Sequence, residues 1–278
     1  MISNEAVNHA IDYILQHLNE DVSVDDVAAQ CHFSKYYFNR IFKEETGESI
    51  YAFIKRLRLE QSAFRLKAEP KRTITDIGYA FGYSPSNYSW TFRGQYQTSP
   101  IDFRRKIKQE SIQHPFYHDT LIHMDSLKAC RQKITVKTIP DYFVIYERRI
   151  GSYHHLSSQW HNFINRYQEY VTEKTLFLER TFDDPAITNL DGCLYDICMS
   201  VDQSCPLPNT CVIHGGKCAV YPYKGLGKHI YAAYQTLFTV WLPQTDYMLD
   251  DRCGFDIYRK IDNDSGYMEL DICLPLRN

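Results

Sequence analysis

The stretch Ser34 to Glu45, SKYYFNRIFKEE, constrains this chain more than any other, because it reads as one helix with two unlike faces. Phe38, Ile41 and Phe42 recur at three- and four-residue spacing and form an apolar stripe, while Tyr36, Asn39, Arg40 and Lys43 keep that spacing on the opposite side. One face packs and the other is free to read a partner. Arg and Asn are the side chains whose planar forks match the major-groove edges of guanine and adenine, and Lys43 and Tyr36 suit a phosphate or a thymine methyl. A solvated face on an ordinary amphipathic helix has the same pattern, so the surroundings have to decide.

The surroundings are helical and punctuated. A first helix is expected from Asn4 to Leu18, with Val7, Ala10, Ile11, Ile14, Leu15 and Leu18 inward. Ser23 with Asp26 reads as a capped start for a short helix ending near Cys31, His32 sits in a turn that needs a left-handed backbone, and Gly47 closes the two-faced helix. A long amphipathic helix follows from Ile50 to about Lys67, with Lys55, Arg56, Arg58 and Arg65 on the side suited to backbone phosphates, and Glu69-Pro70 breaks it. Then the pattern returns. Thr73 with Asp76 starts a short helix, Gly82 supplies the turn, and Ser84-Pro85 opens a second two-faced helix. Tyr88 and Phe92 face inward there; Ser86, Trp90, Arg93 and Gln97 face out, and Ser99-Pro100 begins a last helix.

Two helix-turn-helix units about 50 residues apart, joined by a helix, place two reading helices at a separation suited to successive major grooves, about 34 Å apart on one face of a duplex. Charge agrees. Residues 35 to 110 hold 15 Lys and Arg against 8 acids, a net of +7, whereas residues 111 to 278 hold 16 against 20, a net of -4. A basic block in an otherwise acidic chain indicates a polyanion partner for that block alone.

Residues 5 to 105 resemble the DNA-binding domain of the AraC/XylS family of transcription regulators, through VSVDDVAAQCHFSKYYFNRIFKEETGESI and TITDIGYAFGYSPSNYSWTFRGQYQTSPIDFRR. The resemblance implies that Tyr36, Asn39 and Arg40 meet bases in the first unit, and that Ser86, Asn87 and Trp90 do so in the second, with Arg93 near phosphate. The sequence departs from the family in two places: the loop before the second reading helix is one residue shorter than usual, and Trp90 stands where arginine is common. Backbone or methyl contacts are therefore expected from that helix more than hydrogen-bonded readout.

After about Gln109 the hydrophobic period changes. Residues 109 to 130 read as a linker with Pro115 and clustered His, Asp and Tyr, and 131 to 278 as a second domain. ITVKTIP, YFVIYERRIG, LFLER, LYDICMSV, CVIHGGKCAVYPYKG, FDIYRK and GYMELDICLP read as strands, with helices from Ser157 to Tyr170 and from Gly227 to Trp241. The expected fold is an all-α double helix-turn-helix domain, residues 1 to 108, followed by an antiparallel sheet with two strand-helix-strand-strand repeats.

Tyr153, Trp160, Tyr195, Trp241 and Tyr258 offer ring faces for a cation or a planar ligand, although such rings equally serve as core. Asp256 and Tyr258 alternate onto one strand face. Residues 131 to 275 resemble the GyrI-like effector-binding domains, through IPDYFVIYERRIGSY, LYD, GGKCAVYPYKG, VWLPQ and FDIY. The resemblance implies a cleft between two halves that takes bulky, often cationic amphipathic molecules of the multidrug kind, with an acid on the penultimate strand; Asp256 stands there instead of the usual glutamate.

Other chemistry finds little support. Cys193, Cys198, Cys205, Cys211, His214 and Cys218 crowd one region but fit no zinc spacing, so no metal is expected. GLGKH lacks the earlier glycine and the hydroxyl of a phosphate loop, and HExxH, GxSxG and GxGxxG do not occur. No catalytic residues and no cofactor are expected. Nine cysteines without a CxxC pair, no membrane-length apolar run and no signal-like start indicate a cytoplasmic protein. The expected partners are double-stranded DNA, a small-molecule effector and RNA polymerase, with no membrane. The GyrI-like resemblance also implies a different class of function: hydrolysis of a reactive small molecule, with Asp256 as general base and a tyrosine nearby, beside plain sequestration of the ligand.

Overall fold

The computed structural model describes residues 1–113, 124–262 and 264–277. The chain divides into two compact units, Met1–Lys108 and Gln109–Asn278.

In the first unit, α1 (Glu5–Gln16) starts where the Asn4 side chain accepts from the N–H groups of Ala6 and Val7, and buries Val7, Ala10, Ile11 and Ile14. Next, α2 (Val24–Gln30) starts with a reciprocal box: the Asp26 N–H donates to Ser23 Oγ and the Ser23 N–H to Asp26 Oδ2. His32 has φ 61°, the left-handed turn expected there, and Gly47 with φ 82° ends α3 (Lys35–Thr46). Phe38 and Phe42 of α3 are fully buried. The long α4 (Ile50–Ala68) leads into α5 (Ile74–Ala80), α6 (Pro85–Tyr96) and α7 (Pro100–Gln113).

Fifty positions on, each landmark of the first reading unit recurs in the second. The two reading helices have the same length, and the turns before them are both four residues long. The Phe33 N–H donates to Ala28 O at 3.0 Å, and the Tyr83 N–H to Gly78 O at 2.9 Å. The T-shaped pair Phe42–Phe53, 5.2 Å between centroids, is repeated by Phe92–Phe103 at 5.1 Å. Where the first unit has Ala28 the second has Gly78; a Cβ there would lie 3.0 Å from the Tyr88 ring, which would have to give by a few tenths of an ångström. Tyr88 donates in turn to Ser62 Oγ at 3.0 Å, tying α6 to α4.

One expectation fails on α4. Arg56 is paired with Glu48 and Glu60, Arg58 donates to the carbonyls of Leu18 and Glu20, and Arg65 is paired with Glu69, only 7% of its side chain being exposed. These guanidiniums brace the fold and are not presented to a phosphate backbone; of the four basic residues expected to serve there, Lys55 alone is exposed.

The second unit is an eight-stranded antiparallel sheet in the order β1-β6-β8-β7-β3-β4-β2-β5, with β1 (Thr135–Ile139), β2 (Tyr142–Ile150), β3 (Phe177–Thr181), β4 (Leu194–Ser200), β5 (Thr210–Ile213), β6 (Gly216–Leu226), β7 (Phe255–Asp262) and β8 (Tyr267–Pro275). Pairing runs β2–β4–β3 on one side and β6–β8–β7 on the other, and β3 joins β7 in the middle. A Cβ on Gly215 would lie 2.1 Å from Ile139 O, so only glycine lets the β5–β6 turn pack on the β1–β2 turn. That contact draws the two edges of the sheet together at one corner.

Strand alternation separates two environments. Val144, Leu178, Cys198, Cys218, Ile257 and Cys273 fill one face, with Cys211 packed against them, so these thiols serve as apolar packing, while Cys205 packs on the other face. The first of these faces holds Arg148, with no exposed side-chain surface, between Asp196 and the Tyr146 ring. On the other face α9 (Leu156–Arg166) packs Trp160 and Phe163 against Ile145, Ile197 and Met199. Its partner α10 (Ile230–Gln235) continues as a π-helical turn, Thr236–Trp241. The segment read as a linker is helical at both ends, since α7 reaches Gln113 and α8 occupies Leu127–Lys133; Pro115 lies outside the described residues.

Candidate nucleic-acid interface and effector site

On α3 the side chain of Tyr36 is 87% exposed, and Arg40 and Lys43 are exposed beside it. The Arg40 guanidinium lies 5.5 Å from the Tyr37 ring centroid, a cation–π contact that restricts its rotamers while its N–H fork stays at the surface. Asn39 has another task. It is half-buried, and its Oδ1 accepts from the Ile50 N–H at 3.0 Å, satisfying one of the orphan donors at the start of α4. Bidentate recognition of adenine asks that oxygen to face a base, so Asn39 serves the packing of α3 on α4 in this geometry.

On α6, Ser86, Asn87 and Arg93 are exposed and Trp90 is 76% exposed. Thr91 Oγ1 donates to Asn87 Oδ1 at 3.0 Å. Gln97 does not continue the outer face: it is the residue that ends the helix, with φ 55° and its Nε2 donating to Gly94 O. Where each unit turns between its helices, φ is positive at the residue expected, His32 and Gly82.

The second unit brings most of its expected site residues onto the α9-covered face of the sheet. Trp160 and Tyr258 meet edge to face at 5.4 Å, and Tyr153 lies against Tyr195 at 4.7 Å. Asp256 is buried, and directly across the β3–β7 pairing stands Glu179, a residue that the sequence did not single out. Tyr258 donates to Glu179 Oε2 at 2.9 Å and Tyr234 of α10 donates to Asp256 Oδ2 at 2.5 Å. Burial pushes the Glu179 carboxyl up to about 7, against the opposing effect of the Tyr258 hydroxyl. Burial pushes Asp256 well above the usual carboxylate range, and the Glu179 charge pushes it further.

Among the described residues the buried Tyr153 hydroxyl has no hydrogen-bond partner, and Trp160 Nε1 lies beside Glu179 and Tyr258 without reaching good hydrogen-bond geometry to either. A buried hydroxyl left in this way can be satisfied by a group that arrives later. Tyr195 is already engaged, donating to Gln159 at 2.7 Å. Trp241 is not part of this group: it stacks on Tyr247, 5.7 Å away. Glu179 was legible in one respect, as an acid on the same strand phase as Phe177; its pairing with Asp256 was not.

Residues 132–277 match the family described as GyrI-like small molecule binding domain, and residues 27–106 match a helix-turn-helix domain. Regulatory protein SoxS of Escherichia coli (strain K12) is 30% identical over 108 residues, 38% of this chain and the whole of that protein. Right origin-binding protein of the same strain is 25% identical over 257 residues, 87% of this chain and 86% of that one. Regulatory protein PocR of Salmonella typhimurium is 35% identical over 107 residues, 38% of this chain, which spans only 34% of that protein's length. The chain belongs to the AraC family of DNA-binding transcription regulators and carries a GyrI-like small-molecule-binding domain as its carboxy-terminal half.

Proposed function

We propose that this regulator responds to a cationic ligand with an aromatic or apolar body, held on the face that carries Glu179 and Asp256. The observation that carries the reading is the pair of buried carboxylates set opposite each other on adjacent strands, under the rings of Trp160 and Tyr258. Among the described residues no Lys or Arg is hydrogen-bonded or ion-paired to either acid. Two like charges in a site of low polarity are costly to ionise together, so without ligand the pair favours holding a proton. A cation supplies the missing charge, and the ring faces receive it.

The DNA-reading roles follow the exposed side chains. Arg40 would take a base edge and Tyr36 a thymine methyl or phosphate; Lys43 and Arg93 would take phosphates, with Ser86, Asn87 and Trp90 at the second groove. Asn39 would position α3. Ligand shifts activity by its difference in affinity between two states of the regulator, read out as altered operator binding or an altered contact with RNA polymerase. Action on DNA would place the protein in the cytoplasm. The site binds and does not turn over: Asp256 is held by Tyr234, so it is not presented as a free general base, and the ligand should be recovered unchanged.

Phenyltrimethylammonium and tert-butylbenzene share a shape and differ in charge, which makes them a direct test. Quenching of tryptophan fluorescence in the full chain should saturate with the cation at least tenfold more tightly than with the neutral compound, and Glu179→Gln should narrow that ratio. Equal affinities would refute the reading.

A further inference from the structure

The two reading helices are copies of one another in backbone but carry unlike chemistry at matching places. Fifty positions on, Tyr36 corresponds to Ser86, Arg40 to Trp90 and Lys43 to Arg93. The outer cation is kept, so both helices retain a group for phosphate. The central position changes in kind. Arg40 presents a planar fork of donors; Trp90 presents an indole, one N–H on a large apolar ring, and 76% of it is exposed.

Two of the exposed polar side chains beside Trp90 are partly engaged along the helix itself. Asn87 Oδ1 accepts from Thr91, and Ser89 Oγ donates back to Pro85 O at 3.0 Å. Ser86 is short. What α6 offers a major groove is therefore mostly an apolar plane, and the apolar feature on the edges of bases in that groove is the 5-methyl of thymine. A large ring held out in water, 76% exposed, among polar neighbours has a reason to be there if it is covered on binding.

We propose that α6 selects its half-site through contact between Trp90 and thymine methyl groups, whereas α3 selects by hydrogen bonds from Arg40, so that the operator is asymmetric: guanine under the first helix, methyl-bearing pyrimidines under the second. The inference rests on the DNA-reading assignment above. A single chain with two unlike probes binds such a site in one direction only, which gives the regulator a fixed orientation on the duplex without a second protomer.

The test begins with sequences selected by the full-length protein from random duplexes; Arg40→Ala identifies the half-site of α3 as the one whose base preference relaxes. Each thymine of the other half-site is then replaced by uracil, which removes the methyl and leaves every hydrogen-bonding group. Each replacement should weaken wild-type binding roughly fourfold, the value of one buried methyl-sized group. The same replacements should cost Trp90→Ala less than about twofold, and Arg40→Ala should remain as sensitive as wild type. Circular dichroism checks that Trp90→Ala is folded, as expected for an exposed side chain. If no sequence is selected at all, the DNA-reading assignment itself fails. If specific sites are selected but uracil has no effect, or costs Trp90→Ala as much as wild type, the assignment survives and the methyl contact is refuted. Unchanged DNA binding by Trp90→Ala, with loss of regulated transcription, would assign the ring to a protein partner and likewise refute it.

Discussion

Replacing Glu179 by Gln should make the ligand-free protein more stable at alkaline pH, although it removes a hydrogen-bonded side chain from the interior. The Glu179 carboxyl titrates at about 7 in the folded state against 4.5 for an ordinary glutamate, because burial penalises its charged form. Its folded-state pKa is raised, so its contribution to stability is fully present below about pH 4.5 and is lost as the pH climbs through about 7. At about 1.4 kcal/mol per pH unit, that interval corresponds to a loss of about 3 kcal/mol. A glutamine has no proton to lose, and its Oε1 can still accept from Tyr258. The variant should match wild type or fall slightly below it at about pH 5, and exceed it by up to about 3 kcal/mol at about pH 8.5, retaining only the slope that Asp256 contributes. Urea titrations of the full chain would measure this. In a Trp90→Phe background the tryptophan signal comes from Trp160 and Trp241, both in the second unit, so the transition followed is the relevant one. With a denaturant slope of about 2 to 3 kcal/mol per molar, the midpoints should separate by roughly 1 M at the higher pH. Parallel midpoints for the two proteins across the pH range would show that Glu179 is not an isolated buried acid, and the cation-binding rationale would lose its support.

Asn39→Ala should destabilise the first unit by about 1 kcal/mol, the usual cost of losing a side-chain partner for a helix N-terminus, and leave base preference in selected duplexes unaltered. Arg148→Met should lower the stability of the second unit by about 3 to 5 kcal/mol, because Asp196 would be left buried with one of its cations gone. Burial alone would raise the Asp196 carboxyl, but Arg148 and Arg180 outweigh it and hold it low, so part of that loss should be recovered in Arg148→Met combined with Asp196→Asn; calorimetry of the single and double variants separates the two.

The first half of the chain was legible because its signals are local. Ser23 with Asp26, His32, Gly47 and Ser84-Pro85 each state a cap or a turn within a few residues, and each is found where expected. The basic side of α4 was misread for a reason that also lies close in sequence: Glu60 and Glu69 stand four residues after Arg56 and Arg65, the spacing at which a helix pairs opposite charges. In the second half, strand phase put Asp256 and Tyr258 together and the structure adds Trp160 to them. Glu179 stayed hidden because its meaning depends on the pairing of β3 with β7, strands far apart in the chain whose register is set by the whole sheet. Trp241 shows the opposite limit: its aromatic character was plain, but only tertiary packing against Tyr247 reveals that it belongs elsewhere.

If the exposed fork of Arg40 reads a base while Lys43 holds the backbone, as proposed, Arg40→Ala and Lys43→Ala will behave differently on a selected duplex and its single-base variants. Arg40→Ala should cost about 1 to 3 kcal/mol on the selected site and abolish discrimination at one base pair. Lys43→Ala should weaken all duplexes alike and lower the salt slope by about one. Discrimination retained in full by Arg40→Ala, with specific and nonspecific affinities unchanged, would show that Arg40 reads no base.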